Sequence, residues 1–474
     1  MVIIAKTYKM FYISLLIVNI CKLYSNEIYR IPIGLYNWNK EQKSKDFIQN
    51  IFHNILYVNL TIGNPPQTIP FQLNANSQAF YASNKYFNPN ESSTYELLSD
   101  KEIFYSYEFG TYGYQSKDVL KINNIERKID IIYETKTEKQ NNLSNIGLLI
   151  PNRIQTGIYP FFTSLKNAGI INSYTWTFKF FSNTTLFDTI YKKDNIIIGE
   201  FIIGDEPHNY EPDKKLYDVT EYMKSRPEHE EGTIFWNINF DSIYIIKKDN
   251  ENNNNSKIKI YGKYLARIDP DIGFIICPNE FYSTITDTFF NKYYDICIDK
   301  YLDDSNKLRY IECEKNDSFN ISSFPDLYFE HKEFETIFNF TYKDLFILDE
   351  TNNKYIFLII NNKYSSIWTF GKIFLKKYQL TFNVDSKSFG YYKSMNNYNK
   401  DNKNADNNSK SNENKNENHT LIMIMIIVLF VILCSLLSVV LGMYIQKTCS
   451  KRKKRINELE DVNNDYDDIE KIMA

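Results

Sequence analysis

The strongest constraint on the fold is a predicted pair of strands that ends at Asn74. Apolar and polar residues alternate from Tyr57 to Ile62, which predicts a half-buried strand. Gly63-Asn64-Pro65-Pro66 ends this strand, because proline cannot donate to a strand ladder. Thr68 to Leu73 is rich in β-branched and aromatic residues and predicts a second strand. The pair therefore delivers Asn74, followed by Ala75-Asn76-Ser77, to a turn.

This stretch resembles the pepsin family of aspartic proteases. The family pattern is roughly Y-x-x-x-I-x-I-G-T-P-P-Q, a strand, and D-T-G-S-S-x-L-W-V-P-S, where this chain has YVNLTIGNPPQ, FQL and NANSQAFYASN. Six further stretches match family motifs in the family's order, and they are Asn88–Tyr95, Gly113–Asp118, Ile146–Leu148, Ile196–Glu200, Phe235–Ile238 and Trp368–Tyr378. The resemblance implies an all-β, bilobal pepsin-like fold, with lobes over residues 55–212 and 213–394.

The resemblance also assigns the candidate site. Pepsin-type hydrolysis uses two carboxylates, one from each lobe, that share a proton. Asp269 matches the second-lobe aspartate, whereas Asn74 stands at the first-lobe position, and an amide cannot ionise. A rival register would make Asp271 the acid, but it needs a compensating deletion and ranks second. The family's flap tyrosine corresponds to Tyr107, with Tyr105 as the alternative.

The residues beside both positions depart from the family pattern as well. The family's threonines, whose hydroxyls tie the two lobes together, are replaced by Ala75 and Pro270. The glycines that follow them are replaced by Asn76 and Asp271, and Asp271 would place a like charge beside Asp269. Loss of one member of a catalytic set costs roughly three to six orders of magnitude in rate. Useful hydrolysis is therefore not expected.

Two functions follow from these residues. In the first, the chain is a catalytically inactive homologue that binds a protein or peptide partner in the cleft or on a lobe surface. In the second, it is an aspartic-type endopeptidase with an altered dyad, working with Asp269 and water alone. A third interpretation of Asp269 is a loop aspartate that survives by chance.

The two ends of the chain predict a membrane protein. Lys6 and Lys9 precede an apolar run, which predicts a secretory signal over residues 1–25. Residues 421–445 carry no charge, and as a helix they would be about 38 Å long, enough to cross a hydrocarbon core of roughly 30 Å. The basic cluster Lys451–Arg455 follows and belongs on the cytosolic side. The prediction is a single-pass type I protein of the secretory pathway or cell surface, with a luminal or extracellular ectodomain.

Three shorter segments complete this organisation. Residues 26–54 open with Tyr29–Ile33, which looks like the start of a pepsin-type prosegment although the region is short for one. Residues 395–420 are almost entirely polar and predict a solvated stalk. Residues 446–474 form the predicted cytosolic tail.

The predicted ectodomain contains three of the six cysteines. Cys297 and Cys313 flank a polar excursion in the second lobe, where pepsins also place a disulfide, and closing this loop would contribute about 3 kcal/mol. Cys277 is left over and is predicted to be a buried thiol.

Composition excludes other functions. The formal net charge is −3, from 55 basic and 58 acidic residues, so no positive excess exists to hold nucleic acid. The five histidines are scattered and show no zinc spacing. No metal or cofactor is expected. The heavy use of Asn, Lys, Ile and Tyr resembles proteins encoded by AT-rich protozoan genomes.

Overall fold

The computed structural model describes sixteen segments of the chain, which are residues 28–37, 47–52, 54–106, 111–137, 143–151, 159–181, 196–210, 216–221, 233–234, 236–247, 256–261, 264–302, 308–316, 319–331, 337–386 and 388–392. The predicted signal, stalk, membrane span, cytosolic tail and flap residue Tyr107 lie outside these segments and stay predictions. Within the described segments, no helix is long and apolar enough to cross a membrane.

The described residues are mostly β-strands, as predicted. From the N-terminus to residue 234 the strands are β1 (Tyr29–Asn37), β2 (Asn54–Ile62), β3 (Gln67–Asn74), β4 (Phe80–Ala82), β5 (Glu96–Leu97), β6 (Ile103–Ser106), β7 (Thr111–Ile122), β8 (Ile125–Thr137), β9 (Ser144–Gly147), β10 (Ile150–Pro151), β11 (Thr175–Phe180), β12 (Ile197–Ile203), β13 (Leu216–Glu221) and β14 (Thr233–Ile234). Thereafter they are β15 (Asn237–Asn239), β16 (Ser242–Lys247), β17 (Ser256–Ile260), β18 (Leu265–Ile268), β19 (Ile275–Pro278), β20 (Cys297–Tyr301), β21 (Leu308–Glu314), β22 (Asp326–Glu330), β23 (Phe338–Phe340), β24 (Phe346–Asp349), β25 (Lys354–Phe357), β26 (Ile359–Asn362), β27 (Trp368–Phe370), β28 (Gln379–Asn383) and β29 (Ser388–Tyr392).

Short helices lie between these strands. They are α1 (Phe47–Phe52), α2 (Phe161–Asn167), α3 (Asn279–Phe290), α4 (Tyr342–Leu345) and α5 (Lys372–Lys377). The helix α2 is followed by Gly169 at φ 68°, a left-handed conformation that glycine adopts without strain.

The predicted hairpin at the start of the motif forms as expected. Strands β2 and β3 pair antiparallel, with Ile62 opposite Gln67 and Tyr57 opposite Gln72. The side chains of Val58, Leu60 and Ile62 are buried. The alternation in the sequence therefore reflects one face of the strand turned to the core.

Two similar lobes follow from the pairing of the strands. In the first lobe, which comprises β2 to β12, strand β9 lies between β3, parallel to it, and β4, antiparallel to it. In the second lobe, which comprises β15 to β27, strand β27 lies in the same way between β18 and β19. Each lobe thus has a loop that leaves one outer strand, crosses the central strand and returns on its other side.

One large sheet contains strands from both ends of the chain. Among the described residues its order is β13-β29-β28-β11-β12-β1-β2-β3-β9-β4-β8-β7-β5, with β6 beside β7. The strand β1 belongs to the predicted prosegment-like region, and it pairs with β12 on one side and β2 on the other. The hairpin β28–β29 belongs to the predicted second-lobe range, yet it pairs with β11. The sheet therefore combines strands from both predicted lobe ranges.

The predicted cysteine pairing is confirmed. Cys297 and Cys313 face each other across the antiparallel pair β20–β21 and form a disulfide. Cys277 on β19 is a free, fully buried thiol, and burial raises its pKa. A thiol in this environment is not a nucleophile, because the thiolate form is suppressed.

Candidate functional site

Asn74 is the last residue of β3 and lies where the first-lobe loop begins. It pairs with Gly147 of β9, and its carbonyl accepts a hydrogen bond from the Leu148 backbone N–H at 2.8 Å. Its side-chain oxygen accepts a second bond from the Asn76 backbone N–H at 2.7 Å. Only 1% of Asn74 is exposed, so its amide is held in place by the loop that it starts.

Asp269 occupies the corresponding position in the second lobe. It directly follows β18, whose last residue Ile268 pairs with Phe370 of β27. Its Oδ1 accepts a hydrogen bond from the Asp271 backbone N–H at 2.9 Å, the same contact that Asn74 makes with Asn76. This correspondence favours Asp269 over Asp271 as the counterpart of Asn74.

Two glycines let the loops cross their central strands closely. A Cβ on Gly147 would lie 2.4 Å from the Ser77 carbonyl oxygen, and a Cβ on Gly371 would lie 2.1 Å from the Ile272 carbonyl oxygen. Any side chain at either position would therefore push the loop away from the strand. Gly147 and Gly371 are part of the predicted motifs, and this contact explains why they are glycine.

Side chains of the two lobes meet at these loops, and two of them, Asn76 and Asp271, stand where the family has glycine. The Asn76 side-chain amide donates to Asp269 Oδ2 at 2.9 Å. The Gln72 amide donates to Asp271 Oδ1 at 3.2 Å. Both oxygens of Asp269 thus accept a hydrogen bond, and 5% of Asp269 is exposed. An amide cannot supply or accept the proton that general acid–base catalysis moves.

The replaced threonine positions face one apolar cavity beneath the loops. Ala75 and Pro270 line this cavity, whose volume is about 10 Å³. That is the lower limit for a single water, and the lining is otherwise made by Leu148, Trp176, Phe178, Trp236, Ile268 and Phe382. The lobes are therefore joined here by apolar packing, as the loss of both hydroxyls implies.

A buried lysine that sequence reasoning missed supports the second loop from below. Lys372, at the start of α5, is 1% exposed, and its Nζ donates to the carbonyls of Pro270 at 3.0 Å and Asp271 at 2.8 Å. Burial lowers the pKa of Lys372 to about 8, while the charges of Asp271 and Asp269 act in the opposite direction. The sequence carries only part of this signal: the family motif W-I-L-G-D has aspartate where this chain has Lys372, but the substitution does not show that the lysine is buried.

The helix α1 lies against the same loop. A Cβ on Gly273 would lie 2.7 Å from the Ile51 carbonyl oxygen, and the rings of Phe52 and Phe274 stack with centroids 5.9 Å apart. The side chain of Ile51 is buried. The segment before the first lobe therefore packs on the residues that follow Asp269.

The flap assignment remains a prediction. Tyr107 lies outside the described residues. The alternative, Tyr105, lies in β6, which pairs with β7, and its side chain is also outside the described part of the chain. The geometry above therefore concerns the two loops and their supports only.

Comparison with known proteins agrees with the fold. No curated protein matches the chain. A family model described as "Eukaryotic aspartyl protease" matches residues 58–393, which includes both loops and most of the described strands. The chain belongs to the eukaryotic aspartyl protease family.

Proposed function

We propose that this chain is a pepsin-like protein that does not hydrolyse peptides and that binds a protein or peptide partner on the secretory side of a membrane. The observation that carries the proposal is the contact at Asp269. The corresponding position in the first lobe is Asn74, which makes the same loop contact as Asp269, and the Asn76 side-chain amide donates to Asp269 Oδ2 at 2.9 Å. A single carboxylate that accepts from an amide, with a second amide at the position of its partner acid, cannot act as both acid and base in one step.

The partner is inferred to be a peptide or an extended protein segment. The two loops and their flanking strands keep the arrangement on which the family builds a peptide-binding groove, as the match over both lobes supports. Loss of the acid pair removes proton transfer without removing the backbone that an extended ligand would contact. The membrane span predicted at residues 421–445 would hold this groove near the membrane surface.

A cleavage assay on the full-length protein in detergent tests the first half of the proposal. Wild type and Asp269→Asn are incubated with a peptide library from acidic to neutral pH, and products are identified by mass spectrometry. We expect both proteins to give the same background, at least roughly three orders of magnitude below a complete dyad. Turnover that pepstatin inhibits and that Asp269→Asn abolishes would establish a working protease and overturn the proposal.

The single variant Asn74→Asp, which restores the missing carboxylate, separates the effect of Asn74 from that of its neighbours. We expect Asn74→Asp alone to remain inactive, since the Asn76 amide still donates to Asp269. Restored turnover with Asn74→Asp alone would show that the neighbouring changes are unimportant. Binding is measured on the same library by recovery of uncut peptides with the protein, and absence of any retained peptide would contradict the second half of the proposal.

A further inference from the structure

We propose that the loops beginning at Asn74 and Asp269 hold the two lobes together through an interlobe clasp. The clasp consists of Gln72 and Asn76 of the first lobe and of Asp269, Asp271 and Lys372 of the second. The clasp holds the lobes at one fixed separation. This role does not depend on whether the protein hydrolyses peptides. It rests on contacts that the substitutions in both loops create.

The first step is that both substituted glycine positions take part in bonds between the lobes. Asn76 donates to Asp269, and Asp271 accepts from Gln72, so the two bonds run side by side between the loops. A glycine at position 76 would have no side chain to donate, and a glycine at position 271 would have none to accept. The bonds therefore exist only because these residues differ from the family pattern.

The second step is that the two acceptors are charged. A hydrogen bond to a charged group is stronger than one between neutral groups, and Asp269 is also largely removed from water. Amide donors suit this place, because a second carboxylate in place of Asn76 would repel Asp269. The residue types on both sides are thus complementary.

The third step is the support from Lys372. Its Nζ donates to the carbonyls of Pro270 and Asp271, which lie on either side of the Asp271 Cα in the backbone. The positive charge of the buried Lys372 also partly compensates the negative charges of Asp269 and Asp271. Lys372 thus acts as a positioning residue for the second-lobe side of the clasp.

Distance measurements between the lobes test the clasp in the full-length protein. Non-cysteine fluorescent labels at Lys101 in the first lobe and Tyr364 in the second, both exposed, report the separation by energy transfer. We expect the double variant Gln72→Ala/Asn76→Ala to broaden the distribution of distances between the two labels. The population of molecules with the lobes further apart should rise about tenfold for each hydrogen bond lost. Gln67→Ala is the matched control, because Gln67 is on the same strand but bonds Asn88 within the first lobe.

A second measurement examines Lys372 independently. We expect Lys372→Met to increase hydrogen exchange at the backbone amides of Asp271 and Ile272 about tenfold, since the loop loses the two hydrogen bonds from Lys372 Nζ. Lys377→Met is the control, because Lys377 lies on the same helix but pairs with Asp344. If the folded Gln72→Ala/Asn76→Ala variant kept the wild-type distance distribution, the clasp would be refuted. Unchanged exchange in folded Lys372→Met would remove Lys372 from it.

Discussion

Glu134 is a carboxylic acid that lies in β8 with 1% of its surface exposed. It pairs with Gly113 at the register shift of the β7–β8 pair, and its Oε2 has no hydrogen-bond partner among the described residues. Burial raises the pKa of Glu134 to about 7, and a hydrogen bond with Ser83 opposes the shift. The neutral acid is therefore the form that this site favours.

The raised pKa of Glu134 predicts a pH dependence of stability. Between the unfolded pKa of 4.5 and the folded value of about 7 the folded state binds more protons, so the free energy of unfolding falls as pH rises through this window. The Glu134 contribution to the free energy of unfolding is about 3 kcal/mol, and it is fully lost above the folded pKa. We expect Glu134→Gln, which cannot ionise, to remove this component in urea unfolding curves measured across the window. An identical pH slope in both proteins would contradict the assignment.

At the residue scale, the sequence predicted positions better than contacts. Asn74 and Asp269 could be placed because their flanking strands and motifs fix the register of the loops. The bond from Asn76 to Asp269 could not be predicted, because the two residues are 193 positions apart and meet only when both loops are in place. Lys372 was overlooked for a related reason, since a lysine in a motif does not reveal that it will be buried under a distant loop.

At the element scale, β1 is the strand whose place the sequence did not reveal. It lies inside the large sheet, and its residues Tyr29, Ile31, Ile33 and Leu35 are buried. Burial of each such side chain contributes about 1.5–3 kcal/mol. The Arg30–Glu200 ion pair, 2.9 Å long and partly exposed, adds little. The segment that resembles a prosegment is thus a structural strand in this fold.

We expect β1 to stay in the sheet after the chain is cut behind it. A specific protease site inserted within residues 38–46 of the full-length protein allows this cut. The fragment that carries β1 should co-elute with the remainder in native gel filtration and separate only in denaturant, because β1 is hydrogen-bonded on both sides. The same site inserted within the predicted stalk, residues 395–420, is the control. Release of the β1 fragment under native conditions would show that the segment is removable.

Other elements were predicted closely, and their signals are local. The hairpin β2–β3 turns at the predicted prolines, and helix α2 ends just before Gly169, a residue typical of helix C-termini. Both depend on periodicity and turn residues within a few positions of each other. The hairpin β28–β29, in contrast, joins a sheet that begins more than three hundred residues earlier, and no local pattern specifies that pairing.

At the scale of the whole molecule, the two-lobed fold and the family agree with the sequence prediction. The predicted membrane topology can be tested directly.

We expect a chain that ends at residue 420 to be secreted into the medium, because it lacks the apolar segment 421–445. A chain that ends at residue 446 keeps the segment and should stay in the membrane pellet after alkaline extraction. Retention of the shorter chain in the pellet would contradict a single C-terminal anchor.

The position of β11 between β12 and β28 also bears on how the protein is made. β28 begins at Gln379, so β11 has no partner on that side until the chain has been synthesised beyond residue 379. At ordinary rates of synthesis this interval lasts on the order of ten seconds or more. An unpaired strand edge is a template for aggregation. We therefore expect that edge to need protection during translation, and we expect chaperone supply to limit the yield of this protein.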